Sequence, residues 1–427
     1  MPVITRAQAA RGQRKAGGER TPQLLVRKLK EHLFHPSHLW HTATALWLLE
    51  VAVCCFVILK VPYTEIDWVT YMNQAALFLN GTWNYSQIVG PTGPIVYPAG
   101  HLYVYSGLFV YSRGGVRIRL AQWAFASLYL LTLVLVFKIY QRVQKIPPYV
   151  LLFMCCLAYR VHSIYMLRLF NDGVAMFLLY SAVLLWLSDQ WTVGCLLYSL
   201  AVSIKMNVLL FAPALAALLL VREGVFRTLC HIINCALLQL ALAVPFLAAA
   251  PVGYLSRAFQ FNRVFLYKWT VNWRCVPESV FLSPRFHLAL LAVHLLLLAF
   301  FASRLWFRER GGFWQSVVRK SPLLTQFQSA DEVLFALFSA NFIGMVCART
   351  LHYQFYVWYF HSLPFLLWST PYPAGLNLAL LGGVELIWNI YPSTRYSSLA
   401  LHCIHLVILI GLVMGKLRIV HDQKKLR

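Results

Sequence analysis

Acidic side chains are scarce: 14 Asp and Glu stand against 37 Lys and Arg in 427 residues, and charged residues of both signs make up only 12%. So little charge on a chain that is 60% hydrophobic excludes a soluble globular protein of this size. There is no phosphate loop, no Gly-rich turn after a strand and no His-Glu-x-x-His, so the usual nucleotide and zinc-peptidase chemistries are not expected. Ten cysteines sit mostly inside apolar segments without paired-ligand spacing, and read as small buried hydrophobes. No internal repeat of the kind many transporters carry is present. No apolar run with a cleavage site precedes Trp40, so residues 1–35, with Arg6, Arg11, Arg14, Lys15, Arg20, Arg27, Lys28 and Lys30, read as a cytosolic tail.

What is present is a succession of apolar runs of spanning length, about 20 residues each. They are predicted near 42–61, 116–138, 148–166, 174–187, 191–205, 207–222, 226–248, 286–305, 331–348, 355–370, 375–391 and 397–415. The fold class expected is an all-α polytopic membrane protein of roughly twelve spans. Residues 1–41 and 416–427 are cytosolic tails, and 42–415 form one transmembrane domain with large luminal loops at 62–115 and 250–284. The net charge of +23 lies largely in tails and short loops, where the positive-inside rule puts it; nucleic acid is therefore not an expected partner. Reading 97–112 as a span instead reverses every downstream segment.

The first luminal loop is the chemically dense stretch. Tyr63-Thr64-Glu65-Ile66-Asp67-Trp68 places two carboxylates just beyond a span, and from Ile66 to Asn80 the apolar positions Val69, Met72, Ala76 and Leu79 repeat at helical spacing. This predicts an amphipathic interfacial helix. Glu65 and Asp67 are either its N-terminal caps or catalytic groups, with Trp68 available to stack on a sugar. Two glycosylation sequons follow, at Asn80 and Asn84.

The predicted topology leaves Arg168, Lys205, Arg263, Lys268, Arg274 and Arg349 at the luminal edge. Together they suit a phosphate or diphosphate, although each taken singly is as readily a snorkelling side chain. Arg349 and His352, three apart, share a face if helical and then reach one phosphate. Asn171-Asp172 and the aromatic Trp273 and Tyr353 supply groups for sugar hydroxyls and stacking, while paired Trp residues also serve as interfacial anchors.

Six blocks carry a resemblance: Tyr63 to Trp68, Thr92-Gly93-Pro94-Ile95-Val96-Tyr97-Pro98, Leu167 to Asp172, Ser203-Ile204-Lys205-Met206-Asn207-Val208, Trp269 to Arg274, and Leu351 to His361. In this order they resemble the dolichyl-phosphate-mannose-dependent alpha-1,3-mannosyltransferases of the endoplasmic reticulum. The resemblance implies a GT-C fold with its catalytic carboxylate in the first luminal loop. It also implies inverting transfer of mannose from dolichyl-phosphate mannose to the five-mannose dolichyl-diphosphate oligosaccharide, with no metal or other cofactor. The family pattern has an acidic residue where this chain has Pro91, and Pro where it has Gly173; the first departure removes a rival acid.

Asp67 is the expected base, because it shares a helical face with Thr70, Tyr71 and Gln74, and Glu65 is the expected orienter of the acceptor. Arg168, Lys205, Arg274, Arg349 and His352 are assigned to donor or acceptor phosphate, and Trp68, Asn171, Asp172, Trp273 and Tyr353 to sugar. The rival classes are a transporter or lipid-flipping protein, with Glu50 and Glu385 lining a path, and a non-catalytic subunit that keeps the fold. Lys424 and Lys425 near the C-terminus resemble a retrieval signal for the endoplasmic reticulum, or serve charge sorting alone.

Overall fold

The computed structural model describes residues 21–260, 266–318 and 329–425. Arg263, one of the cations singled out above, lies outside them. The described chain is almost wholly helical; its only strands are the two-residue β1 (Val89–Gly90) and β2 (Gly93–Pro94), paired antiparallel. In order the helices are α1 (Thr21–Phe34), α2 (Leu39–Lys60), α3 (Trp68–Leu79), α4 (Ala99–Tyr111), α5 (Ile118–Val143), α6 (Tyr149–Cys156), α7 (Tyr159–His162), α8 (Asp172–Leu187), α9 (Trp191–Ile204), α10 (Ala212–Ala249), α11 (Pro251–Ala258), α12 (Glu278–Phe281), α13 (Pro284–Phe301), α14 (Phe313–Val318), α15 (Ala330–Val346), α16 (Leu363–Leu367), α17 (Ala374–Asn389) and α18 (Arg395–Lys425).

Five helical segments among the described residues are long and apolar enough to cross a bilayer, six if a bent pair counts as one span. The protein is a multi-pass membrane protein. Its outer surface carries rows of exposed large apolar side chains, including Leu49 and Phe56 on α2, Ile233 and Leu237 on α10, and Leu288 and Leu295 on α13. A soluble surface does not tolerate apolar area on this scale, whereas lipid covers it. The bundle interior is built on α15, where Val333 through Met345 are buried without interruption. Two of its polar side chains join it to neighbouring elements: Ser339 Oγ accepts from Trp306 Nε1 at 2.9 Å, and Asn341 Nδ2 donates to Trp358 O at 2.8 Å.

Two expected spans are not continuous helices. The stretch 148–166 is broken, with α6 meeting the Tyr159–Leu167 segment at 50°. The stretch 355–370 is a run of tight helical turns, Tyr353–Trp358 and Phe360–Ser362, ending in the short α16. Its aromatic apolar composition resembles a span, but Tyr and Trp carry polar tips, and here those tips are hydrogen-bonded to other elements. The remaining elements with expected spans are helical, α8 and α9 being only 16 and 14 residues long.

The segment from Met206 to Ala249 has 44 residues, about 66 Å if straight and about twice the hydrocarbon thickness. It does not run straight. Tyr198 Oη bonds Val208 O and Arg222 pairs with Asp189, so the first half runs antiparallel to α9. Cys235 Sγ meets Cys195 O and Gln239 Nε2 meets Ser199 O, so the second half runs parallel to it. The reversal falls at Gly224, whose φ of 79° is open to glycine at no steric cost. The two halves, which correspond to the expected segments 207–222 and 226–248, therefore run in opposite directions.

The acidic residues proposed to line a transport path are instead used to join elements. Glu50 of α2 accepts from Tyr129 Oη at 3.2 Å and lies 2.6 Å from His162 Nε2, and Glu385 of α17 binds Tyr356 Oη at 2.5 Å and Asn389 Nδ2 at 2.6 Å.

Candidate active site

The loop after α2 folds as the periodicity predicts, with α3 two residues shorter at its start. Its inward face is polar: Thr70, Tyr71 and Gln74 are buried, whereas Val69 and Leu79 point outward. The β1–β2 hairpin closes against this face. Thr92, at its turn, donates its backbone N–H to the Thr70 hydroxyl oxygen at 3.0 Å, and Gln74 Nε2 donates to Gly93 O at 3.3 Å. Gly90 allows the contact, since a Cβ there would meet the Thr70 methyl at 2.6 Å.

Asp67 stands where α3 begins, partly open to solvent. Its two carboxylate oxygens accept long bonds from Thr92 Oγ1 at 3.3 Å and from Tyr71 Oη at 3.4 Å. Burial, with Tyr97 and Asp67 beside it, pushes the Tyr71 hydroxyl far above the ordinary phenol range, so it remains a donor. The carboxylate is thus held by two hydroxyls at a partly open position. Glu65 is different. Its Oε1 accepts the Val69 backbone N–H at 3.0 Å and its Oε2 the Tyr63 hydroxyl at 2.5 Å. Glu65 thus satisfies a first-turn N–H of α3 from two residues before the N-cap position, which Asp67 occupies.

Behind Asp67 a connected polar and aromatic chain runs inward. Tyr71 Oη meets Tyr97 Oη at 3.4 Å, and the Tyr97 ring lies 5.5 Å from Lys205 Nζ. Lys205 donates to Asp172 Oδ2 at 2.8 Å and to Asn171 Oδ1 at 3.1 Å, with Phe355 and Trp358 also around its ammonium. Trp358 Nε1 completes Asp172 at 2.5 Å. Lys205 lies immediately beyond α9, which α4 approaches closely at Gly100: a Cβ there would lie 2.0 Å from Ser203 Oγ. His101 closes the group between the rings of Tyr71, Tyr97 and Tyr105, its Nδ1 accepting from Asn171 Nδ2 at 3.1 Å. Burial, and then the nearby Lys205, hold His101 well below the usual imidazole range.

The turn before α8 is tied to the Asp67 loop by one backbone bond, Thr64 N–H to Leu167 O at 3.0 Å. Leu169 has φ 51° and is held there by burial and by Tyr105 Oη on its carbonyl at 2.7 Å. This sends Asn171 and Asp172 inward while Arg168, bonded to Ser163 Oγ, stays half-buried at the rim. At Gly173 the space of a Cβ is taken by the Tyr165 ring at 2.7 Å. Arg160 is a neighbour of Arg168 and lies over the Tyr353 ring at 4.9 Å. A cavity of about 360 Å³ opens beside the loop between the end of α2 and the start of α5, apolar at Ile58 and Ile118 and cationic at Lys60 and Arg119, next to Tyr63.

The model of the family described as ALG3 protein matches residues 44–398. The chain belongs to this family. Among curated relatives it is 51% identical over 387 residues to the mouse Dol-P-Man:Man(5)GlcNAc(2)-PP-Dol alpha-1,3-mannosyltransferase, covering 89% of this chain and 88% of that one. It is 50% identical over 389 residues to the human protein of the same name, covering 90% and 89%. With the Arabidopsis thaliana protein of that name it shares 44% identity over 383 residues, covering 87% of each. No solved structure matches the chain.

In this ALG3-family chain the other expected site residues have definite places. Trp68 is buried, its Nε1 donating to Gly115 O at 3.1 Å, so it anchors the loop from within. Trp273 Nε1 and Asn272 Nδ2 both donate to Ala348 O, at 2.8 and 2.9 Å, stitching the 266–277 segment to the end of α15. Arg274 lies over the Tyr267 ring at 4.4 Å, and Lys268 over Trp269 at 5.0 Å. Tyr353 donates to Ile390 O at 2.8 Å and offers its ring to Arg160. Arg349 and His352 do not share a helical face: α15 ends at Val346, and the chain between it and Tyr353 is irregular. Asn80 is exposed at the end of α3, and Asn84 caps a short turn by accepting from Ser86 N at 3.0 Å. Sequence reasoning missed His101 and Arg160. Arg160 was concealed within an expected span, and only the break between α6 and α7 signals its different setting.

Proposed function

We propose that this chain is the inverting mannosyltransferase of its family, moving mannose from dolichyl-phosphate mannose to a five-mannose dolichyl-diphosphate oligosaccharide in alpha-1,3 linkage. The observation that carries the reading is Asp67: a partly open carboxylate aimed by Thr92 and Tyr71, in a chain whose mouse and human relatives bear that activity in their names. Asp67 takes the proton from the acceptor 3-hydroxyl as its oxygen bonds to the mannose anomeric carbon. The bond from that carbon to the phosphate oxygen breaks, and dolichyl phosphate leaves as a stable anion, so no general acid and no metal are needed.

Phosphate charge falls to the cations that face the rim, Arg160 and Arg168, with Lys60 and Arg119 beside the apolar cavity that suits a polyprenyl chain. Arg274, Arg349 and His352 serve the second lipid substrate. Lys205 is assigned to Asp172 rather than to phosphate, and Glu65 to capping α3. The bundle is a GT-C fold of about twelve passes, counting short and broken helices, in the endoplasmic reticulum membrane, with 62–115, both sequons and the site on the luminal side and both tails cytosolic.

The test is transfer of labelled mannose by the purified full chain from dolichyl-phosphate mannose to the defined oligosaccharide acceptor. A single added mannose, alpha-1,3 by linkage analysis, is expected; no transfer by folded protein returns the chain to the non-catalytic reading.

A further inference from the structure

Four histidines recur every third residue where the tail helix meets the first long span: His32, His35, His38 and His41. The chain turns between α1 and α2 through a short Pro36–His38 turn, which brings the last turn of α1 against the first turn of α2. Three imidazoles are gathered there. His32 stacks on His38 at 4.5 Å, meets His41 edge-on at 5.0 Å, and His38 and His41 are 5.7 Å apart by ring centre. One ring nitrogen from each of the three lies within 4.8 Å of the other two.

The protonation pattern suits coordination. His32 Nδ1 is 2.8 Å from Lys28 O, and since a carbonyl only accepts, Nδ1 carries the hydrogen and Nε2 presents its lone pair. A backbone carbonyl on the remote ring nitrogen is the usual way a metal-ligating histidine is oriented. His35 is placed otherwise, its Nδ1 on Ser37 Oγ at 2.7 Å and its ring 6.2 Å from His38.

We infer that His32, His38 and His41 bind a borderline divalent transition-metal ion of the zinc kind at the junction of the tail helix and the first span. Tetrahedral Zn–N bonds of about 2.0–2.1 Å place the three nitrogens about 3.3 Å apart, a contraction that side-chain rotation at these partly open positions supplies. Neutral imidazole is a preferred ligand for such ions, and the fourth position is left to water. The ion clips α1 onto α2. It lies at the opposite end of α2 from Asp67, a helix of 22 residues or about 33 Å, so its role is separate from sugar transfer.

The full chain, purified through a histidine-free tag, stripped with chelator and held in nanodiscs, is titrated with Zn²⁺ by calorimetry and with Co²⁺ by visible absorption. One ion per chain and tetrahedral Co²⁺ bands are expected for the wild type. The triple variant His32→Asn, His38→Asn, His41→Asn should lose the bands and at least tenfold in Zn²⁺ affinity while still transferring mannose, which shows that it is folded. Zn²⁺ should slow trypsin cleavage after Lys28 and Lys30 in the wild type alone. Equal stoichiometry and affinity in the triple variant, or no uptake by the wild type at micromolar Zn²⁺, overturns the inference.

Discussion

Lys205 and Asp172 form a buried ion pair, 2.8 Å from Nζ to Oδ2, that joins the end of α9 to the start of α8 behind the candidate base. The Asp172 carboxylate is wholly enclosed, with Trp358 on its other oxygen. Removing one partner from such a pair strands a charge and costs about 3–5 kcal/mol, whereas replacing both with apolar groups is often far milder. Asp172→Asn and Lys205→Met are each expected to lower the thermal midpoint in nanodiscs sharply. The Asp172→Leu, Lys205→Met double variant should recover part of the loss. A double variant less stable than either single one would mean that the two groups do not act as a pair.

Asp67→Asn keeps the size of the side chain and an oxygen that accepts from one of the two hydroxyls, Thr92 or Tyr71, but removes the basic lone pair. Mannose transfer should fall by about 100-fold or more, with binding of dolichyl-phosphate mannose close to wild type. Glu65→Gln can still accept from Val69 N–H and should retain most activity, while Glu65→Ala loses a helix cap and about 0.5–2 kcal/mol of stability. An inactive Glu65→Gln beside an active Asp67→Asn would move the base two residues upstream.

Arg160 rests on Tyr353 with a buried Nε that has no acceptor among the described residues. A guanidinium with spare donors at the rim suits phosphate, so Arg160→Gln should raise the apparent KM for one lipid substrate by about tenfold with a smaller change in kcat. Titrating donor and acceptor separately identifies which substrate it holds. An unchanged KM for both leaves Arg160 as a packing partner of Tyr353.

The acid side of the stability profile tests His101. Its folded-state pKa is depressed by burial and by Lys205, so as pH falls below about 6.5, the ordinary value, the unfolded chain binds a proton that the folded chain refuses. Stability contributed by neutral His101 is therefore complete above that pH and is lost progressively below it. Thermal midpoints between pH 7.5 and 5 should fall more steeply for the wild type than for His101→Phe. Parallel profiles would show that another group governs the acid response.

The amphipathic α3 and the long spans were legible because a 3.6-residue period and about 20 apolar residues are properties of one local segment. The pair Asp172–Lys205 was not, since its members are 33 residues apart and only the packing of α8 on α9 brings them together. The same cation reads as a phosphate ligand when its partner is unseen. Glu65 and Asp67 are two residues apart and compositionally equivalent; what separates their roles is that Val69 N–H and Tyr63 Oη both find Glu65. The stretch 355–370 misled because its aromatic density matches a span, while its tight turns depend on remote acceptors such as Asp172 and Glu385.

The bond from Thr64 N–H to Leu167 O also sets a rule for chain length. It fixes a short bracket whose two arms carry Asp67, three residues on, and Arg168, the next residue on the other side. Inserting or deleting a single residue between Thr64 and Asp67 would rotate the carboxylate away from its two hydroxyls while leaving the arginine in place. Length variation among related chains should therefore be absent from that arm and should collect instead near Gly81–Trp83, where the hairpin side of the loop is exposed and Gly81 already turns at φ 89°.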